Sequence, residues 1–207
     1  MLTTLVVVDL ACVEAGWATT FSLIKQHYGS LTDFLAKHSV DIFCIQEAKA
    51  TVEKLKTEPK SYAANEEGYD TFWACCKGNA KRGLMGYSGC ATFAKKGLTL
   101  RADSEPFADA ELNAEGRVLV TEHQHFIIIN IYAPTSGKAY DRLPHKLRFF
   151  NALRDHMNHL RRTTGKPIIL LGDLNIAFGP RDVTPKDRII DLTTLSESRE
   201  AARRPPT

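Results

Sequence analysis

Apolar runs of strand length, separated by polar breaks and one long amphipathic stretch, set the pattern of this chain. The opening Met1-Leu-Thr-Thr-Leu-Val-Val-Val-Asp9 is short and apolar, and reads as a first strand. Three further runs are purer: Asp41-Ile-Phe-Cys-Ile-Gln-Glu47, Phe126-Ile-Ile-Ile-Asn-Ile-Tyr132 and Pro167-Ile-Ile-Leu-Leu-Gly-Asp-Leu-Asn175. They are too apolar for strands with one wet face, so each is expected inside a sheet covered on both sides. Residues 30–38 read as a helix, with Ser30 as its cap and Leu31, Phe34 and Leu35 at helical spacing. Residues 50–56 suggest a short helix, which Pro59 keeps from running on.

Residues 69–75 and 88–94 form a strand pair around a polar, glycine-containing connection. The acidic stretch 101–115 reads as a solvated loop. Residues 117–122 and 126–132 then make a hairpin around His123-Gln124-His125, a polar turn rather than a metal site. The clearest helix spans 144–162, where Leu147, Phe150, Leu153, Met157 and Leu160 form an apolar stripe. Lys146, Arg148, Arg154, Arg161 and Arg162 decorate its flanks as a solvated face, and Gly165 with Pro167 ends it.

Chemistry enters at the ends of the strands. Asp173 and Asn175 lie two apart, and on an extended chain they share a face. Gly-Asp and Asn are also common turn formers, so this pair alone reads equally as a turn or a site. The other apolar runs close in a similar way, on Gln46 with Glu47 and on Tyr132 before Ala133-Pro134. Ligands of layered α/β proteins gather at such strand ends, and three polar endings together favour a site.

The 207 residues suit one large domain or two small ones, with a composition ordinary for a globular protein. The net charge of +3 permits a polyanionic partner without arguing for one. No apolar run approaches the ~18 residues that span a membrane, so no membrane partner is expected. Cys12, Cys44, Cys75, Cys76 and Cys90 lack zinc-type spacing and read as reduced structural thiols of an intracellular protein.

The segments Ile45-Gln-Glu-Ala-Lys49, Gly86-Tyr-Ser-Gly89, Gly116-Arg117, Asn130-Ile-Tyr-Ala-Pro134 and Leu171-Gly-Asp-Leu-Asn175 follow one another in a telling order. Order and spacing resemble the exonuclease III-like AP endonucleases of the endonuclease/exonuclease/phosphatase superfamily. Arg142-Leu-Pro-His-Lys-Leu-Arg-Phe-Phe150 is similar to that family's helix start, and the eukaryotic second AP endonucleases are the most similar branch. The likeness spans roughly residues 31–183.

The resemblance implies an α/β fold with a mixed sheet and flanking helices, the first half of a four-layer sandwich. Residues 1–183 would form a partial domain and 184–207 an irregular tail. It implies a DNA-repair phosphodiesterase, a class II AP endonuclease, using Mg²⁺ or Mn²⁺ to hydrolyse the backbone at abasic sites. A 3′–5′ exonuclease or 3′-phosphodiesterase activity, double-stranded DNA with an abasic site or blocked 3′ end as partner, and a nuclear location go with it.

By the same resemblance Glu47 is the metal-binding glutamate, a hard oxygen donor of the kind Mg²⁺ prefers. Asp173 orients or deprotonates the attacking water, and Asn175 beside it contacts the scissile phosphate; both also stand as metal candidates. Tyr132 hydrogen-bonds the phosphate, Tyr87 contacts the DNA backbone, and Gln46 and Lys49 support the metal and the phosphates. Competing readings make Tyr132 a cap on the core, Tyr87 a hairpin aromatic and Lys49 a surface cation.

Two departures bear on activity. Where the family opens with Trp-Asn-x-Asn-Gly, this chain has Val8-Asp-Leu-Ala-Cys12, so Asp9 stands in as a metal ligand. The family's closing Ser-Asp-His has no counterpart, and the last histidine is His159. The expectation is therefore a truncated chain lacking the histidine–aspartate part of the site and one packing layer. One face of an apolar sheet would then lie open. The alternative function is a catalytically inactive fragment that binds DNA or a protein. A lipid or nucleotide phosphatase of the same superfamily is a third reading, disfavoured by Gly86-Tyr-Ser-Gly89 and Gly116-Arg117.

Overall fold

The computed structural model describes residues 4–9, 17–77, 86–179 and 182; Cys12 and the expected tail at 184–207 lie outside them. Along the chain run β1 (Leu5–Asp9), α1 (Trp17–Tyr28), α2 (Leu31–Lys37), β2 (Ile42–Gln46), α3 (Val52–Thr57), α4 (Pro59–Tyr62), β3 (Tyr69–Ala74) and β4 (Cys90–Lys95). There follow β5 (Thr99–Asp103), α5 (Ala110–Ala114), β6 (Val118–His123), β7 (Ile127–Tyr132), α6 (Leu143–Thr164) and β8 (Ile168–Asp173).

The strands make two four-stranded sheets, ordered β1-β2-β4-β3 and β5-β6-β7-β8. Each is mixed: β1 with β2 and β7 with β8 are parallel, the other pairs antiparallel. The sheets pack face to face, so the expected missing layer and open apolar face are corrected. Ile42, Cys44 and Ala94 of the first sheet meet Ile128, Ile169 and Leu171 of the second. The alternate residues point outwards. Phe43, Ile45 and Phe93 pack under α1 and α2 with Trp17, Phe21, Leu31 and Leu35, while Ile127, Ile129 and Ile131 pack under α6 with Phe149 and Leu153. Helix, sheet, sheet and helix are thus all present, a mixed α/β sandwich.

Continuous burial, with one face on the opposite sheet and the other under helices, explains why β2 and β7 are apolar on both faces, as expected. β8 is different. It forms the edge of the second sheet, with only β7 beside it among the described residues, and Leu170 is 36% exposed. None of its side chains is fully buried and Leu170 opens outwards, so the expectation of a strand covered on both faces is corrected for β8. A strand was also concealed at the start of the acidic segment: β5 runs along an exposed edge, and α5 follows with Asp109 as its cap.

Local signals place the helices. Ser30 caps α2, its Oγ accepting the N–H of Asp33 at 2.9 Å. α6 begins with Pro144 in its first turn and ends on Gly165 in the left-handed region, φ +65°. Its phase differs from the expected stripe: Leu147 is 55% exposed, and Lys146, Phe149 and Leu153 are buried. α1 carries threonines and aromatics of modest helix propensity. Tertiary packing secures it: Trp17 and Phe21 stack, and the Trp17 indole N–H donates to the Tyr62 carbonyl at 2.7 Å.

Burial pushes the Cys44 thiol up to about 12 and the Cys75 thiol up to about 11, so both stay protonated core groups at neutral pH. Among the described residues no helix is long and apolar enough to cross a membrane.

Candidate active site

Side-chain alternation aims the site. Ile128, Asn130 and Tyr132 share the face of β7 that looks at the first sheet, and Ile169, Leu171 and Asp173 share the matching face of β8. Tyr132 and Asp173 are register partners across the β7–β8 pair, so phenol and carboxylate leave the seam side by side. From the first sheet, β1 and β2 run parallel with Asp9 opposite Gln46, and Glu47 follows directly. The side chain of Asp9 lies outside the described residues.

Glu47 and Lys49 adopt φ of +52° and +50°, and Asn175 +50°, backbone that non-glycine residues seldom occupy. Three strained positions thus cluster at the ends of strands β2 and β8, a pattern typical of functional loops. Gly172 of the Gly-Asp-Leu-Asn motif has a φ of +113°, and a Cβ there would collide with the Ile131 carbonyl. The glycine lets β8 close onto β7, which sets Asp173 beside Tyr132.

Asp173 and Asn175 form one hydrogen-bonded unit. The Asn175 backbone N–H donates to Asp173 Oδ1 at 2.7 Å, and its Nδ2 donates to Asp173 Oδ2 at 2.9 Å. The second Nδ2 hydrogen reaches the Ala133 carbonyl at 2.8 Å, tying the unit to the end of β7. The turn and site readings of this pair are therefore compatible: the turn orients the carboxylate. Lys146, 7% exposed, donates its ammonium to the Asn175 carbonyl. Burial lowers the Lys146 pKa, and the charge of Asp173 pulls it back.

Tyr132 faces Glu47. Burial, then the hydrogen bond and charge of Glu47, push its phenol well above the usual range, so it remains a proton-bearing donor. Lys49 Nζ lies 3.4 Å from Glu47 Oε2. Gln46 is placed elsewhere. It is fully buried between the sheets, its Nε2 donating to Asn130 Oδ1 at 2.6 Å. The expected DNA contact of Gln46 is corrected, since a side chain enclosed between sheets reaches no phosphate.

Tyr87 belongs to a second, largely unexpected cluster. Arg117 Nη2 donates to Tyr87 Oη at 2.6 Å, and Nη1 donates to the main-chain carbonyl of Tyr132 at 3.2 Å. Arg117 Nε donates to Glu115 Oε2, and Tyr87 Oη approaches the same oxygen at 3.3 Å. Arg142 Nη2 and His145 Nε2 lie 3.4 and 3.0 Å from Glu115 Oε1. Glu115 is thus no loop carboxylate in water, but the partner of Arg117, Arg142 and His145. The sequence signals were the motifs Gly86-Tyr-Ser-Gly89, Gly116-Arg117 and the helix start at Arg142; the glycine at 116 (φ +62°) allows the backbone to touch Cys75 and Cys76.

Burial by itself would raise the Glu115 carboxyl, but His145 and Arg117 outweigh it and hold it down at about 2. A folded-state pKa below the unfolded value means this stability is present above about pH 4.5 and is lost as pH falls towards 2. Glu115→Gln is expected to flatten the acid limb of stability between those values, read by urea melts from pH 2 to 6. An unchanged acid limb would refute this placement of Glu115.

A sequence model of the Endonuclease/Exonuclease/phosphatase family matches residues 25–195. The chain belongs to that family. Its similarity to DNA-(apurinic or apyrimidinic site) endonuclease 2 of Bos taurus is 34% identity over 182 residues, covering 72% of this chain and 33% of that protein. Among solved structures it resembles the catalytic domain of Xenopus laevis APE2, with a TM-score of 0.57, 27% identity and coverage of 72% of this chain and 55% of that one. It also resembles the AP endonuclease LMAP of Leishmania major, with a TM-score of 0.61, 25% identity and coverage of 84% and 54%. The chain therefore spans a third of the bovine relative and about half of each solved domain. The expected kinship with exonuclease III-like AP endonucleases holds, and so does the mixed α/β fold of this family.

Proposed function

We propose that this Endonuclease/Exonuclease/phosphatase member is a divalent-metal DNA phosphodiesterase that hydrolyses the backbone at abasic sites in duplex DNA. The observation that carries the reading is the locked Asp173–Asn175 unit beside Tyr132 and Glu47 at the mouth of the seam. The relatives named above supply the substrate class. Abasic-site cleavage with 3′-end trimming is the activity in view, and a nuclear location is proposed with it.

Asp173 is positioned to orient a water and accept its proton as the water oxygen bonds to phosphorus. The P–O bond to the leaving strand breaks in the same displacement. Asn175 steadies that carboxylate, and its side-chain amide would exchange one of its two hydrogen bonds for a phosphate oxygen. Tyr132, held as a neutral phenol, donates to the phosphate. Tyr87 and Lys49 flank the seam as phosphate contacts.

The donors fit a hard divalent cation such as Mg²⁺ or Mn²⁺, which takes one or two carboxylates and completes its shell with water. Glu47 would hold it, with Asp9 from the neighbouring strand end and Asp173 and Asn175 as further oxygen donors. When bound, the cation supplies charge that offsets the developing negative charge on phosphate. Among the described residues no three His, Cys, Asp or Glu side chains gather as a metal-holding group. The alternative reading is a module that binds abasic DNA without turnover.

Incision of a labelled abasic duplex with Mg²⁺, repeated in EDTA, separates the two. Metal-dependent product is expected. Tight abasic binding with no product from folded protein would establish the second reading instead.

A further inference from the structure

The Arg117 cluster does more than fill space, because one guanidinium touches both tyrosines of the site. Arg117 is buried, with its Cζ 4.7 Å from the Tyr132 ring centroid and 5.3 Å from that of Tyr87. Its backbone is tied in as well: the Tyr132 N–H donates to the Arg117 carbonyl at 2.9 Å, while Arg117 Nη1 returns a bond to the Tyr132 carbonyl. Nη2 holds the Tyr87 hydroxyl, and Nε holds Glu115. Only a planar fork of donors with a stackable face meets these demands together; an ammonium does not.

Behind it, Glu115 draws in Arg142, just before α6, and His145 in its first turn. Four separate parts of the chain therefore converge on one buried pair: the Tyr87 turn, the start of β6, the end of β7 and the start of α6. A buried ion pair is a weak net stabiliser, so stability alone accounts poorly for this arrangement. We propose that Arg117, backed by Glu115, is a positioning residue that fixes Tyr87 and Tyr132 relative to one another and so sets the phenol of Tyr132 for the phosphate. The catalytic half of this inference rests on the function proposed above; the structural half does not.

Two measurements test it on the full chain. The first is NMR of [¹³Cζ]tyrosine, with the Tyr87 and Tyr132 signals among the six tyrosines assigned by Tyr→Phe variants. In Glu115→Gln/Arg117→Met, which leaves no lone buried charge, both signals are expected to move while the other tyrosines stay. Arg117→Lys is expected to restore at most one of them. If neither signal moves in a folded double variant, the proposal is overturned, whether or not the protein incises DNA.

The second is a double-mutant cycle on abasic incision. Arg117→Met is expected to lower kcat about 10-fold with KM nearly unchanged, and to add less than about twofold once Tyr132 is Phe. Independent, multiplicative losses would overturn action through Tyr132. Loss of wild-type incision would instead sink the proposed function and leave the NMR result to decide the positioning role.

Discussion

Replacing Asp173 by asparagine is expected to cut metal-dependent incision of an abasic duplex by about 10³-fold, within the range for losing a positioned general base. The substitution keeps the shape and an oxygen acceptor for the Asn175 N–H, now 2.7 Å from Oδ1, and gives up the bond from Asn175 Nδ2, which retains the Ala133 carbonyl. It removes the charge and the capacity to take a proton from water. The folded state should therefore change little, and the loss should fall on kcat rather than KM. Asp173→Ala should cost as much activity and also loosen the turn, because both Asn175 donors lose their acceptor. A melting temperature near wild type with kcat within tenfold of wild type in Asp173→Asn would remove Asp173 from the chemistry. The carboxylate would then be a turn element only, the bland alternative that its sequence alone allowed.

What the chain disclosed before its structure follows a physical rule. Strands buried on both faces leave uninterrupted β-branched runs, so β2 and β7 were legible almost to the residue. The motif residues Glu47, Tyr132, Asp173 and Asn175 were legible because each sits where such a run stops. Long-range convergence was not. Glu115 looks like one more acid in an acidic stretch, and its burial is made tolerable by the adjacent Arg117 together with Tyr87, Arg142 and His145 arriving from elsewhere. Lys146 was read as solvated flank, although it lies on the buried face with Phe149 and Leu153 at i+3 and i+7. A cation on an apolar stripe was the available clue that it reaches inward. The lack of a closing Ser-Asp-His carries no information about the second sheet, whose strands β5 to β8 all lie earlier in the chain, and its outer strand β5 is short and exposed, as sheet edges normally are.

The two sheets are held in register at the site by one pair of side-chain amides, and Asn130→Ala is expected to cost about 3 kcal/mol of stability. Asn130 is fully buried on the seam face of β7. Its Oδ1 accepts from Gln46 at 2.6 Å, and its Nδ2 lies 3.0 Å from the Ala91 carbonyl and 3.2 Å from the Ile45 carbonyl. Alanine would strand those groups without water, and each buried group so left costs roughly 1–3 kcal/mol. The urea midpoint should fall with its slope unchanged, because the surface exposed on unfolding is nearly the same. Incision should fall too. Gln46 immediately precedes Glu47, and Asn130 lies two residues from Tyr132 on the same face, so the amide pair sets the gap across which carboxylate and phenol meet. Gln46→Leu in the Asn130→Ala background should regain part of the stability, since removing both polar partners is cheaper than removing one. It should not regain the incision, because apolar side chains hold the sheets together without fixing their register. A loss below about 1 kcal/mol for Asn130→Ala would show that the seam's apolar packing, and not this amide pair, aligns the two halves of the site.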